Sequence, residues 1–130
     1  MKSFTSLKLA PFITLLAVGC AGIVSAQSQG PSPRLAQLAD AEGCEFPEAP
    51  SVPEADTVTM EQMVAAQGAI QAYIEESNEL LECLDGIAGD DDLTDDDQQI
   101  AIEGYNIEVA AQESLAERWN VQRTRFLEMQ

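Results

Sequence analysis

Residues 59–86 read TMEQMVAAQGAIQAYIEESNELLECLDG, and their pattern decides the fold. Apolar side chains recur at steps of three, four and seven residues, which is the spacing of one face of an α-helix. Thr59 and Gln62 have the spacing of a capping box, and Gly86 supplies a stop. We therefore predict a helix over residues 60–85. Its apolar stripe comprises Met60, Met63, Ile70, Ile74, Leu81 and Leu84, widened by Val64, Tyr73 and Leu80.

A second helix is predicted over residues 95–129. Thr94 and Asp97 can cap it, and the carboxylates of its first turn face the positive end of the helix dipole. Only Gly104 interrupts the segment. Its apolar side chains are Ile100, Ile102, Tyr105, Ile107, Val109, Leu115, Trp119, Val121, Phe126 and Leu127.

The two predicted helices are joined by a short acidic connection, so we expect them to pack as an antiparallel hairpin over residues 59–130. A fold point near residue 90 sets Tyr73 against Ile107 and Met60 against Asn120. A two-helix hairpin buries little apolar surface, so a further segment must cover it.

Residues 44–58 are the segment available to cover the hairpin. Pro47, Pro50 and Pro53 are three residues apart, which places their rings on one edge of a polyproline II strand. A solvated proline-rich linker has the same composition, and the sequence alone does not separate the two.

The first 26 residues have the pattern of an export signal. Lys2 and Lys8 precede an apolar run, and small side chains at Val24 and Ala26 predict cleavage before Gln27. The mature chain is then periplasmic or secreted. An outer-membrane lipoprotein anchored through Cys20 is the alternative, disfavoured because the apolar run continues beyond that residue. Residues 27–43 are predicted to be a flexible leader, in which one helical turn can form.

Cleavage of the signal removes Cys20 and leaves two cysteines, Cys44 and Cys83. In an exported chain, two cysteines are expected to form a disulfide. A metal-binding or reactive thiol pair is disfavoured, since the chain has no His and no Cys-x-x-Cys spacing. The bond would carry the start of the proline segment to the turn of the hairpin. The predicted fold is therefore all-α: an antiparallel two-helix hairpin with an N-terminal extended polyproline-like segment tethered by a disulfide. Two hairpins pairing into a four-helix bundle, with the proline segment solvated, is the alternative.

The charge of the chain excludes whole classes of partner. Removal of residues 1–26 takes two of the six basic side chains and none of the 23 acidic ones, so the formal charge moves from -17 to -19. This charge repels nucleic acid and anionic lipid, and we predict no membrane span. Without His, a mature-chain Lys or a phosphate-binding loop, we also predict that the protein is not an enzyme.

Eleven acidic residues and no basic one lie between residues 75 and 97. A weak divalent-cation site, with calcium as the ion, is one interpretation of the six aspartates in residues 90–97. The spacing fails the EF-hand pattern, and a solvated turn with helix caps is the alternative. No other cofactor is predicted. The aspartates are Asp90, Asp91, Asp92, Asp95, Asp96 and Asp97.

The hairpin register leaves Trp119, Arg123 and Phe126 near or beyond the start of the first helix. We predict that these side chains form an interaction surface for another envelope protein or for a second copy of the chain. The expected function is therefore a non-enzymatic exported envelope protein that acts by association. An acidic protein that binds or buffers divalent cations is the alternative.

Several short motifs carry a family resemblance across most of residues 44–126. They are Cys-x-x-Pro-x-x-Pro-x-x-Pro from Cys44, Met-x-x-Ala-Gln at 63–67, Ala72-Tyr73, Cys83-Leu84 and Trp119-Asn120. In these motifs the chain resembles a group of small, uncharacterised, signal-bearing proteobacterial proteins. The resemblance implies an exported helical protein with a cysteine pair and implies no activity. The chain departs from the group in its lack of Lys after the signal and in its more acidic turn.

Overall fold

A computed structural model describes residues 30–130 of the protein. This part of the chain contains three helices and no strand: α1 (Pro33–Glu42), α2 (Met60–Ala88) and α3 (Asp95–Glu128). None of these helices combines the length and the apolar character that crossing a membrane requires. The predicted signal segment, Cys20 and the first three residues of the predicted leader lie outside the described residues.

Helix α2 begins where its cap predicts and ends three residues beyond the predicted end. Thr59 and Gln62 form both hydrogen bonds of a capping box, with N···O distances of 3.2 and 2.8 Å. Gly86 does not end the helix, because Ile87 continues into the core and is only 4% exposed. The helix ends instead at Gly89, whose N–H donates to the Asp85 carbonyl at 3.1 Å. Burial of one isoleucine therefore outweighs the low helix propensity of glycine.

Helix α3 begins at the predicted residue and ends one residue early. The Thr94 hydroxyl accepts a hydrogen bond from the Asp97 N–H at 3.1 Å and donates to the Asp97 carboxylate at 2.8 Å. Gly104 lies in the middle of the helix and does not break it.

The prediction of a flexible leader is wrong for residues 33–42, which form α1. The Ser32 side chain accepts from the Leu35 N–H at 3.3 Å, and Pro33 occupies the first turn. Gly43 ends the helix in the left-handed conformation, with φ 74°. Leu35 and Ala39 are 3% and 1% exposed, so contact with the longer helices stabilises a segment whose own composition favours disorder.

Three apolar clusters follow one another along α2 and α3. The turn cluster joins the end of α2 to the start of α3, the middle cluster lies between their centres, and the end cluster joins the start of α2 to the end of α3. Their buried members are Leu35, Ala39, Cys44, Leu80, Leu84, Ile87 and Ala101 (turn cluster), Ile70, Tyr73 and Leu115 (middle cluster), and Ala55, Met63 and Phe126 (end cluster).

Residues 44–58, here called the strap, touch all three clusters in order. Phe46 packs on the turn cluster, Val52 on the middle cluster, and Val58 on the end cluster. Pro47, Pro50 and Pro53 are half-buried. The predicted disulfide between Cys44 and Cys83 is confirmed, with a Cα···Cα distance of 5.8 Å.

The contacts between α2 and α3 are displaced by about one helical turn from the predicted register. Tyr73, predicted opposite Ile107, shares the middle cluster with Leu115. Met60, predicted opposite Asn120, shares a crevice with Arg123 and Leu127 instead. The displacement follows from the three extra residues of α2, which move the fold point later in the chain.

Candidate functional site

The three side chains predicted to form an interaction surface all line one crevice at the end cluster, here called the end crevice. Its volume is about 80 Å³. Trp119, Arg123 and Phe126 come from successive turns of α3, and Met63 comes from the first turn of α2. The sequence therefore identified residues that the fold brings together.

Their exposure differs from the prediction of an overhanging aromatic end. Phe126 is 5% exposed because Ala55 and Met63 pack against it, and Trp119 is half-buried between the end and middle clusters. The exposed apolar side chains of the end crevice are Met60, Val64 and Leu127, at 51%, 61% and 52%. These residues form the rim, whereas the predicted aromatics form the floor.

Within residues 30–130, three of the six aspartates of the acidic turn form hydrogen bonds or ion pairs through their side chains. Asp90 Oδ1 accepts from the Asp92 N–H at 2.9 Å, and the Asp97 carboxylate accepts from the hydroxyl of Thr94, the residue that caps α3. Arg34 of α1 forms an ion pair with Asp96 and approaches Asp97 at 3.6 Å. In residues 30–130 no three Asp, Glu, Cys or His side chains gather in a metal-binding arrangement. Calcium binding by this turn stays a prediction.

A second acidic region surrounds the disulfide. Glu45 and Glu48 of the strap face Glu76 and Glu79 of α2 across a crevice of about 510 Å³, which Cys44 and Cys83 also line. Glu45 and Glu48 thus join the acidic end of the molecule.

A polar cluster connects α2 and α3 beside the middle cluster. Glu108 Oε1 accepts hydrogen bonds from the Tyr73 hydroxyl at 2.8 Å and from the Ser77 hydroxyl. Gln112 Nε2 donates to Ser77 Oγ at 2.7 Å and to Asn78 Oδ1 at 3.1 Å. Burial, the hydrogen bond to Glu108 and the charge of that carboxylate, in decreasing order of effect, together raise the pKa of Tyr73 to about 12.

The sequence alone did not identify Ser77 and Glu108 as a hydrogen-bonded pair. The available signal was Ser77, which interrupts the apolar stripe of α2 and is fully buried. A buried hydroxyl needs a hydrogen-bond partner, which predicts a polar side chain on the facing helix. Because the observed register of α2 and α3 differs from the predicted one, the sequence did not indicate that this partner is Glu108.

Comparison of the chain with models of known families, with curated proteins and with solved structures finds no match.

Proposed function

We propose that the protein is a non-enzymatic, exported envelope protein that works by binding another protein molecule, a second copy of itself in the first instance. In this proposal α2 and α3 form an antiparallel hairpin, along which the strap lies extended. The opposite progression of contacts along the two helices supports the hairpin, and the ordered contacts of the strap support its extended course.

The observation that carries this function is the rim of the end crevice. Met60, Val64 and Leu127 are each about half exposed or more and surround one concave site. Clustered apolar side chains around a groove are typical of surfaces that bind helices of other proteins. Trp119 on the floor adds an aromatic side chain of the kind enriched in binding hot spots.

Charge supports a second copy as the occupant of the end crevice. Two molecules of such acidic composition repel each other most strongly through their acidic turns. Arg118, Arg123 and Arg125 all lie toward the end-cluster terminus of α3, so two copies meet there with the least repulsion. A two-fold arrangement would place the same crevice on both sides of the contact.

Export is supported by the N-terminal sequence pattern and by the disulfide, a bond that persists in oxidising compartments. The mass of protein recovered from the envelope tests this part. We expect a chain that begins at Gln27, carries no lipid and lacks the two thiol hydrogens. A chain retaining the signal, or a lipid on Cys20, would contradict the predicted processing.

Sedimentation of the exported protein over a range of concentrations tests association. We expect a dimer that Val64→Asp dissociates, because a carboxylate at the rim would be desolvated on contact. Val121→Asp is the matched control, since Val121 is 59% exposed and does not line the end crevice. A wild-type protein that stays monomeric, or equal weakening by both variants, would argue against self-association through this crevice.

A further inference from the structure

A third crevice lies beside the polar cluster, under α1 and the strap. Its volume is about 150 Å³, and a cavity of about this size in another protein holds benzene. Leu35, Phe46, Pro47 and Ile107 supply apolar walls. Glu108 is the one charged side chain among the residues that line it.

The carboxylate of Glu108 is held in place by one oxygen and open at the other. Its Oε1 accepts both the Tyr73 and Ser77 hydroxyls, which fixes the side chain across the two helices. Within residues 30–130 its Oε2 accepts no hydrogen bond and the carboxylate forms no ion pair. That oxygen is also not sealed off, because the described residues contain no buried polar side-chain atom without a partner.

The geometry points to binding of a small organic ammonium ion in this crevice, with the cationic group on Glu108 Oε2 and a short hydrocarbon chain against the apolar walls. A carboxylate forms strong charge-assisted hydrogen bonds with an ammonium group. The Phe46 and Tyr73 rings line the same space and favour a cation over a neutral ligand. Hydrated metal ions fit poorly, because a single carboxylate amid hydrocarbon replaces few of their water ligands.

Titration of the folded, disulfide-bonded protein with n-butylammonium chloride tests this site, followed by NMR chemical shifts of residues lining the crevice. We expect saturable binding, with n-butanol and sodium chloride each at least tenfold weaker. Glu108→Gln keeps an oxygen for the two hydroxyls and removes the charge, so we expect at least tenfold weaker binding. Glu113→Gln is the matched control, since it removes the same charge from an exposed residue of α3.

A second variant keeps the test decisive should Glu108→Gln disturb the fold. Ala49 is exposed on the strap and lines the crevice, so Ala49→Phe fills the space and leaves Glu108 intact. We expect this variant to lose binding. Unchanged binding in Ala49→Phe, equal loss in Glu108→Gln and Glu113→Gln, or shifts that never saturate would each overturn the site. The readout is independent of dimer formation, so failure of the association proposal leaves it standing.

Discussion

At the scale of single residues, Gly104 decides whether α1 can lie on α3. A Cβ atom placed there would lie 2.8 and 2.9 Å from the two methyl carbons of Leu35, which is 3% exposed. These distances are too short for carbon atoms, so either Leu35 or α1 as a whole would have to move. The residue that looks like a helix breaker in the sequence therefore marks a close approach of another helix.

We expect Gly104→Ala to lower the thermal stability of the protein and to increase the proteolysis of α1. Gly68→Ala is the matched control, because Gly68 lies in the middle of α2 and a Cβ there meets nothing within 4 Å. The control should gain about 1 kcal/mol from helix propensity. Equal stabilisation by the two substitutions, measured by urea unfolding, would contradict the predicted contact.

Tyr73 makes the stability of the protein depend on pH in the alkaline range. Its pKa is raised to about 12 in the folded state from 10.0 in the unfolded chain, so the fold favours the protonated phenol. This contribution is complete below about pH 10 and is lost as pH rises through about 12. Glu108→Gln should lower the folded-state pKa, because it removes a negative charge beside the hydroxyl.

Spectrophotometric titration of tyrosine ionisation checks this dependence. The late step near pH 12 should disappear in Tyr73→Phe and persist in Tyr105→Phe. If the step near pH 12 remains in Tyr73→Phe, it belongs to a group other than Tyr73.

At the scale of elements, the strap is fixed to the helices at both ends. At its start is the disulfide, and at its end the Ala55 N–H donates to Gln122 Oε1 at 2.9 Å. Ala55 is 2% exposed, so water does not readily replace this acceptor. We expect Gln122→Ala to cost about 1–3 kcal/mol in urea unfolding. Gln99→Ala, on the exposed surface of the same helix, should change stability by less than about 0.5 kcal/mol.

The disulfide contributes at the other end by closing a loop between residues 39 positions apart. The loop-entropy relation gives about 4 kcal/mol for a loop of this length. We expect Cys44→Ala with Cys83→Ala to approach this loss and to expose the strap to proteases. A double variant whose strap is digested no faster than in the wild type would mean that apolar contacts alone hold it.

The sequence was sufficient for elements whose signals are local. The boundaries of α2 and α3 were predicted within three residues because capping residues and a long apolar period lie inside each segment. Helix α1 was missed because it is stabilised by packing of Leu35 against Gly104, a residue far along the chain. The Ser77–Glu108 pair was missed for the same reason, since only the register of two helices brings those side chains together.

At the scale of the whole molecule, charge is distributed unevenly. The acidic turn and the glutamates around the disulfide lie at one end, where Arg34 is the basic side chain paired with the turn. The other arginines lie late in α3. Folding brings the carboxylates of the acidic end closer together than they are in the unfolded chain, and their repulsion lowers the stability of the fold.

We therefore expect thermal stability to rise with sodium chloride between roughly 10 mM and 1 M, because the screening length falls from about 30 to about 3 Å. Screening also weakens the exposed ion pairs of Arg34 and Arg125, but such pairs contribute at most about 1 kcal/mol each. Asp91→Asn with Asp92→Asn, at two exposed turn residues, should raise stability at low salt and reduce its salt dependence. Calcium chloride at matched ionic strength should act like sodium chloride. A saturable additional shift with calcium would favour the cation-binding alternative, and a melting temperature that falls with salt would contradict the predicted self-repulsion.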